Sequence, residues 1–221
     1  MLAEGESLEV LEGDIRVIQN TKLYRFTSDA ILLARFARAK MGDAVADLCA
    51  GSGVVGLQFY ALHPRCVRSL DFFEMQPALA DLCARSVQLN ALSARVHCTR
   101  VQDIGPAHTE AYSLALCNPP YERGGFTNAD PSKALCRSEL SLTLAELLDC
   151  ARRILKFGGR LAIVHRADSI AELLAGMKAR SIEPKRLQLV SGRAGGKPYL
   201  VLVEGVKGGK EGVEVTIASQ K

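Results

Sequence analysis

The stretch Asp47-Leu48-Cys49-Ala50-Gly51-Ser52-Gly53-Val54-Val55-Gly56 decides the fold. An apolar run, Ala44 to Cys49, carries an acid near its end and passes into a glycine turn, and the turn opens at once into a helix-forming segment near 54 to 62. Gly51 and Gly53 let the backbone bend sharply and approach a bound molecule without a Cβ in the way. The same G-x-G spacing occurs in dinucleotide-binding folds and in ordinary strand-to-helix turns, so the flanking sequence has to choose between them.

Outward from this turn the pattern of apolar strand, loop, amphipathic helix and apolar strand repeats, which is the mark of a parallel sheet covered by helices on both faces. Strands are expected at Ala44 to Cys49, Val67 to Phe73, Ala94 to Val101, Leu114 to Cys117, Arg160 to His165 and Arg186 to Val190. Helices are expected near 54 to 62, 77 to 91, 140 to 155 and 168 to 180. A seventh strand, Tyr199 to Val203, follows too short a loop for a crossover helix and should pair antiparallel with its predecessor. The expected fold is α/β and Rossmann-like, a seven-stranded mostly parallel sheet ending in an antiparallel hairpin. Ahead of it, Ser28 or Asp29 caps a helix through Ile31, Leu32, Leu33, Phe36 and Ala37, closed by Gly42.

Residues 1–27 read as a small β appendage packed on a main domain of residues 28–206, and the glycine- and lysine-rich residues 207–221 as a flexible tail, although Val213, Val215 and Ile217 alternate as an edge strand would. Ligands of open α/β sheets bind outside the carboxyl ends of the strands. On this reading Asp47, Glu74, Asp103 and Asn118 end four successive strands, so they converge on one site.

The fourth of these opens the tetrad Asn118-Pro119-Pro120-Tyr121. Two consecutive prolines fix two φ angles and remove two backbone donors, so the chain leaves its strand rigidly, with carbonyls and the Asn amide facing outward. Such a tetrad resembles the signature of class I S-adenosylmethionine-dependent methyltransferases that act on a planar amino nitrogen, and Asp47 to Gly56 resembles the fingerprint of the same enzymes. The resemblance implies S-adenosyl-L-methionine as cofactor. Asp47 would meet or hydrate its ammonium, Glu74 would take both ribose hydroxyls, and Asp103 would meet the adenine amine. The segment Tyr24 to Leu33 resembles the cofactor-covering element of a bacterial subgroup that methylates N6 of an adenine in the anticodon loop of a valine tRNA. Further likeness lies in Arg137-Ser138-Glu139, where the subgroup commonly has His in place of Ser138. The implied cofactor-binding set is Phe26, Thr27, Asp29, Asp47, Cys49, Gly51, Gly53, Glu74, Met75, Asp103, Ile104 and Asn118. The implied catalytic set is Asn118, Pro119, Pro120 and Tyr121.

The chemistry follows from the target. An exocyclic amine shares its lone pair with its ring, so methylation needs acceptors that hold both amine protons; the Asn118 side-chain oxygen and the Pro119 carbonyl supply two, and Tyr121 would stack on the target plane. A clamp of this kind also serves glutamine methylation of proteins and guanine N2 methylation of ribosomal RNA. The glutamine enzymes carry a sizeable helical domain before the sheet, where only about forty residues stand here. DNA enzymes need a recognition domain that does not fit this length, so RNA, above all tRNA with its exposed loop bases, is the expected partner. A cofactor-binding fold kept as an RNA-interaction protein would have no chemical reason to retain the clamp.

Composition sets the remaining bounds. The 221 residues are 48% hydrophobic, enough for one sizeable core, with no run long enough to span a bilayer, and a cytoplasmic protein is expected. Seven cysteines without a C-x-x-C pair and four scattered histidines give no zinc-ligand spacing, so no metal is expected. The net charge of +4 is modest, but the first fourteen residues are acidic and the later ones basic. The cations near 152 to 156 and 185 to 197, including Lys185 and Arg186, are expected to hold phosphates.

Overall fold

A computed structural model describes residues 2–23, 28–120 and 142–219. Its first element is a hairpin of β1 (Glu6–Val10) and β2 (Arg16–Asn20), paired antiparallel as a separate two-stranded sheet. There follow α1 (Ser28–Phe36), β3 (Asp43–Leu48), α2 (Val54–Leu62), β4 (Val67–Glu74), α3 (Pro77–Leu89), β5 (Arg95–Cys98) and β6 (Tyr112–Cys117). The chain continues with α4 (Leu144–Ile154), β7 (Leu155–Arg166), α5 (Ile170–Ala179), β8 (Ile182–Ser191), β9 (Pro198–Lys207) and β10 (Glu214–Ser219).

The main sheet runs β10-β8-β9-β7-β6-β3-β4-β5. Strands β5, β4, β3, β6 and β7 are parallel, and β9 lies antiparallel between β7 and β8. The antiparallel hairpin is therefore as expected, but the sheet has eight strands, not seven. The extra strand is β10, drawn from the stretch read as tail: residues 214–219 pair parallel with β8 from Glu214↔Arg186 to Ser219↔Ser191. The Lys185 ammonium donates to the carbonyls of Lys210 (3.0 Å) and Glu211 (3.3 Å), which fixes the glycine-rich approach to that strand.

Helices cover both faces of the sheet at β3, which is why β3 is buried at every residue and, after Asp43, reads as an apolar run broken only by Asp47. On one face Val45, Phe72, Leu114, Leu116 and Val164 pack beneath α1, α2 and α3 through Leu33, Leu57, Phe59 and Cys83. On the other, Ala46, Leu48, Ala115, Cys117 and Ile163 meet α4 and α5 through Leu147, Leu148, Leu173 and Met177. The alternation along β6 assigns Leu114 and Leu116 to one core, and Ala115 and Cys117 to the other. Helix α4 starts with a capping box, the Thr143 hydroxyl accepting from the Glu146 amide while the Glu146 carboxylate takes the Thr143 amide.

At the amino end of the strands the Asp43 carboxylate receives the Arg160 guanidinium through both oxygens (2.7 and 2.6 Å), the Ser113 hydroxyl and the Lys40 amide. Arg160 also donates to the Arg38 carbonyl. The pair is 3% exposed on each side and ties β3 to β7 across β6.

The terminal hairpin is stapled to α3. Glu6 takes Arg85 in a two-pronged ion pair (2.7 and 2.6 Å), the Ile18 amide donates to Ser86 Oγ, and Asn90 bonds the Arg16 amide and carbonyl.

Candidate functional site

At the carboxyl ends of β3, β4 and β6 lies a cavity of about 200 Å³. Of the residues singled out in the sequence, Cys49, Gly51, Glu74, Met75, Asn118, Pro119 and Pro120 line it together. Ala30 near the start of α1 lines it too, as do Ser52, Gln76, Thr99 and Gln102 among polar residues, and Val55, Phe73, Leu79, Val101 and Leu142 among apolar ones.

The turn after β3 is built by backbone geometry. Cys49 and Gly51 both have positive φ (57° and 55°), and a Cβ on Gly51 would stand in open space. Gly53 has φ of 87° and caps α2, and its missing side chain serves packing instead, since a Cβ there would come within 2.7 Å of Cys83 Sγ. The two glycines of the G-x-G thus divide the work: the first opens the cavity and the second seats the helix against the sheet.

Glu74 is 5% exposed and ends β4. Its Oε2 accepts the Gly51 amide at 2.8 Å and its Oε1 the Gln76 amide at 2.8 Å. A carboxylate has about four lone-pair positions, so these two bonds leave Glu74 able to accept two more. Asp47 is buried behind the turn and does not line the cavity. Its Oδ2 accepts the Gly56 amide at 2.8 Å, while Oδ1 has no hydrogen-bond partner among the described residues. Burial pushes the Asp47 carboxyl up to about 7 against the pull of the Gly56 amide, and the nearby negative Glu74 adds to the rise.

The third expected strand end falls elsewhere. Strand β5 stops at Cys98, and Asp103 stands exposed in a 3-10 turn, Val101–Asp103, where Val101 and Gln102 line the cavity and Asp103 does not. Ile104 is buried in the core behind that turn, and Asp29 adjoins the cavity at Ala30 without lining it. Phe26, Thr27 and Tyr121, with Arg137-Ser138-Glu139, lie outside the described residues. Ser52 and Gln102 escaped the sequence reading. Ser52 is reached by Gln19 of β2, whose amide donates to its hydroxyl, so the N-terminal hairpin touches the cavity-forming turn.

The basic residues separate into two groups. Lys185 is bound to the carbonyls of the β10 approach, and Arg186 donates to the Phe36 carbonyl (3.1 Å), lies over the Phe36 ring (4.4 Å) and pairs with Glu204. Arg152 and Arg153 end α4, and Lys156 follows at the start of β7, at the amino end of the sheet. Lys185 and Arg186 are thus engaged within the protein, and Arg152, Arg153 and Lys156 stand at the end of the sheet away from the cavity.

Three comparisons bear on this site. The family model described as methyltransferase small domain matches residues 27–177. A Cronobacter sakazakii protein described as tRNA1(Val) (adenine(37)-N6)-methyltransferase is 28% identical over 179 residues, covering 80% of this chain and 72% of that protein. A Yersinia pestis protein of the same description is 27% identical over 139 residues, and the match covers 56% of its length. Among solved structures, a predicted O-methyltransferase from Agrobacterium tumefaciens superposes with a TM-score of 0.66 at 23% identity, covering 86% of this chain and 85% of that one. P. horikoshii TYW2 in complex with MeSAdo superposes with a TM-score of 0.63 at 14% identity, covering 94% and 73%. At these identities the solved structures speak for the fold.

Proposed function

The chain belongs to the methyltransferase small domain family and is a class I S-adenosyl-L-methionine-dependent methyltransferase, and from that premise we propose that it methylates N6 of an adenine in the anticodon loop of a tRNA. The observation that carries this reading is one cavity lined by Gly51 and Glu74 together with Asn118, Pro119 and Pro120. The names of the Cronobacter and Yersinia relatives support the choice of tRNA adenine.

The residues present fit the cofactor. Gly51 leaves open space where a side chain would stand, Glu74 keeps spare acceptor capacity beside it, and the buried Asp47 Oδ1 lacks the hydrogen bond that an ammonium or a bridging water would supply. When bound, the cofactor supplies an electrophilic methyl group on a sulfonium.

In the proposed mechanism Glu74 would accept the two ribose hydroxyls and Gly51 would let the backbone lie against the amino-acid portion. Met75, Val101 and Gln102, which line the same cavity, would hold the adenine. Asn118 Oδ1 and the Pro119 carbonyl accept the two N–H groups of the target amine and turn its lone pair toward the methyl group. Their fixed placement supplies the catalysis, because a group already oriented needs no reorganisation as charge develops. The amine nitrogen would take the methyl group, leaving S-adenosylhomocysteine, and the cationic product amine would release its proton to water. Tyr121 would stack on the base.

Incubating unmodified tRNA with methyl-labelled cofactor and analysing the nucleosides tests the proposal. Label in N6-methyladenosine is expected. Label in N2-methylguanosine, or in protein glutamine, overturns the assignment of the substrate.

A further inference from the structure

The rim around the cavity carries a patch that methyl transfer itself leaves unused. Hairpin β8–β9 closes at Ser191↔Pro198, and its residues 192–197 project beyond the carboxyl end of β7, since Leu200 already lies opposite Arg166. Cys117 lies opposite Ile163 of β7, so Asn118 to Pro120 leave the sheet at the same end. Tyr199 adjoins the first turn of α1, where partial burial and then the nearby Asp29 carboxylate raise the pKa of its phenol. One residue further along α1, Ala30 lines the cavity. The tip and the candidate site are thus continuous.

Between Ser191 and Tyr199 there is no acid, and Arg193, Lys197 and Tyr199 are all exposed, Tyr199 by 42%. Gly195 (φ 69°) and Gly196, whose amide donates to the Arg193 carbonyl at 2.9 Å, make a tight turn that holds the two cations on a short arm. Several other long cations are engaged: Arg160 by Asp43, Arg180 by Asp149, Lys207 by Glu110, Arg166 by Asp168, and Arg186 by Glu204 and Phe36. Arg193 and Lys197 form no ion pair among the described residues. Cations without acids, next to an exposed aromatic ring, are the composition that grips a single-stranded nucleic acid.

We infer that the β8–β9 tip grips the RNA strand leading to Asn118, with Arg193 and Lys197 on backbone phosphates and Tyr199 stacked on a base beside the target. This rests on the RNA reading of the site. Arg193, Lys197 and Tyr199 do not line the cavity, so their loss should leave cofactor affinity intact.

The test measures binding of a fluorescent tRNA transcript by anisotropy from low to moderate salt, for the wild type, Arg193→Ala/Lys197→Ala, Tyr199→Ala and Tyr199→Phe. The double variant is expected to flatten the slope of log K against log salt by roughly 1.4 to 1.8, two phosphate contacts' worth. Tyr199→Ala should weaken binding about tenfold and Tyr199→Phe should retain it. S-adenosylhomocysteine affinity, read by calorimetry, should be unchanged in all three. A wild type that methylates adenine in tRNA alongside a double variant of unchanged slope overturns the grip and leaves the proposed function standing. Loss of S-adenosylhomocysteine binding in the double variant also overturns the grip, because the tip would then be part of the cofactor site. A wild type that neither binds nor methylates RNA overturns both.

Discussion

The amide of Gly51 donates to Glu74 Oε2 at 2.8 Å, so the turn after β3 and the acid that ends β4 are held as one piece. Glu74 therefore has two tasks: it shapes the turn and offers its remaining lone pairs to the cavity. Glu74→Gln keeps the size and one carbonyl oxygen but removes the charge. Cofactor affinity is expected to fall about 10- to 100-fold, the scale of losing charge-assisted hydrogen bonds worth about 1.5–3 kcal/mol. Calorimetric titration with S-adenosylhomocysteine, with circular dichroism as a check on folding, measures this; an unchanged affinity would remove Glu74 from the cofactor's partners.

Asp47 gives a pH dependence with a defined sign. Its carboxyl stands at about 7 in the folded protein against an ordinary 3.8. Between these values the folded state keeps a proton that the unfolded state has released, so this residue's effect is a stability that declines as pH rises from about 4 to about 7 and is level above. Asp47→Asn cannot ionise. Relative to the wild type it should gain stability with rising pH across that window, by at most on the order of 4 kcal/mol. Urea unfolding of both proteins at pH 5 and pH 8 isolates the difference, and parallel behaviour would contradict the burial cost assigned to this carboxyl. If Asp47 also faces the cofactor's ammonium, cofactor binding should tighten over the same window in the wild type alone.

The Asp43–Arg160 pair makes the opposite kind of prediction, since its partners are already satisfied. Arg160→Met should leave a buried carboxylate without its cation and cost about 3–5 kcal/mol in urea unfolding. Removing both charges with Asp43→Leu/Arg160→Met should recover much of that loss. A double variant as unstable as the single one would show that Ser113, Lys40 and the Arg38 carbonyl matter more here than the charges.

The sequence made the parallel sheet legible because β3, β4 and β6 are buried on both faces and therefore read as short apolar runs, and the Asn-Pro-Pro stop is a local signal. Asp103 was harder to place. The apolar Val96 and Val101 suggest one continuous strand, yet the chain leaves the sheet after Cys98 and turns, bringing Gln102 to the cavity. Strand β10 showed in the sequence only as the alternation of Val213, Val215 and Ile217, because its glycine- and lysine-rich approach, held by Lys185 some 25 residues earlier, reads as a tail. Arg186 looked available as a surface cation because its partners, Phe36 and Glu204, are remote in sequence. Likewise no periodicity foretells that Gln19 reaches Ser52.

Asn118 is half-buried at the end of β6, beside the buried Pro119, and lines the same cavity as Gly51 and Glu74. If it holds the target amine, its contribution appears only when substrate is present. Asn118→Ala should then lower turnover about 10²- to 10³-fold, the scale for losing one preorganised polar contact to the reacting centre. Affinity for S-adenosylhomocysteine should stay within about threefold, because on this reading Glu74 and the Gly51 turn supply most of the cofactor's polar contacts. Single-turnover methylation of tRNA, with calorimetry on the same preparation, separates the two effects. A variant that loses cofactor binding together with turnover would assign Asn118 to the cofactor and leave the amine without its proposed acceptor.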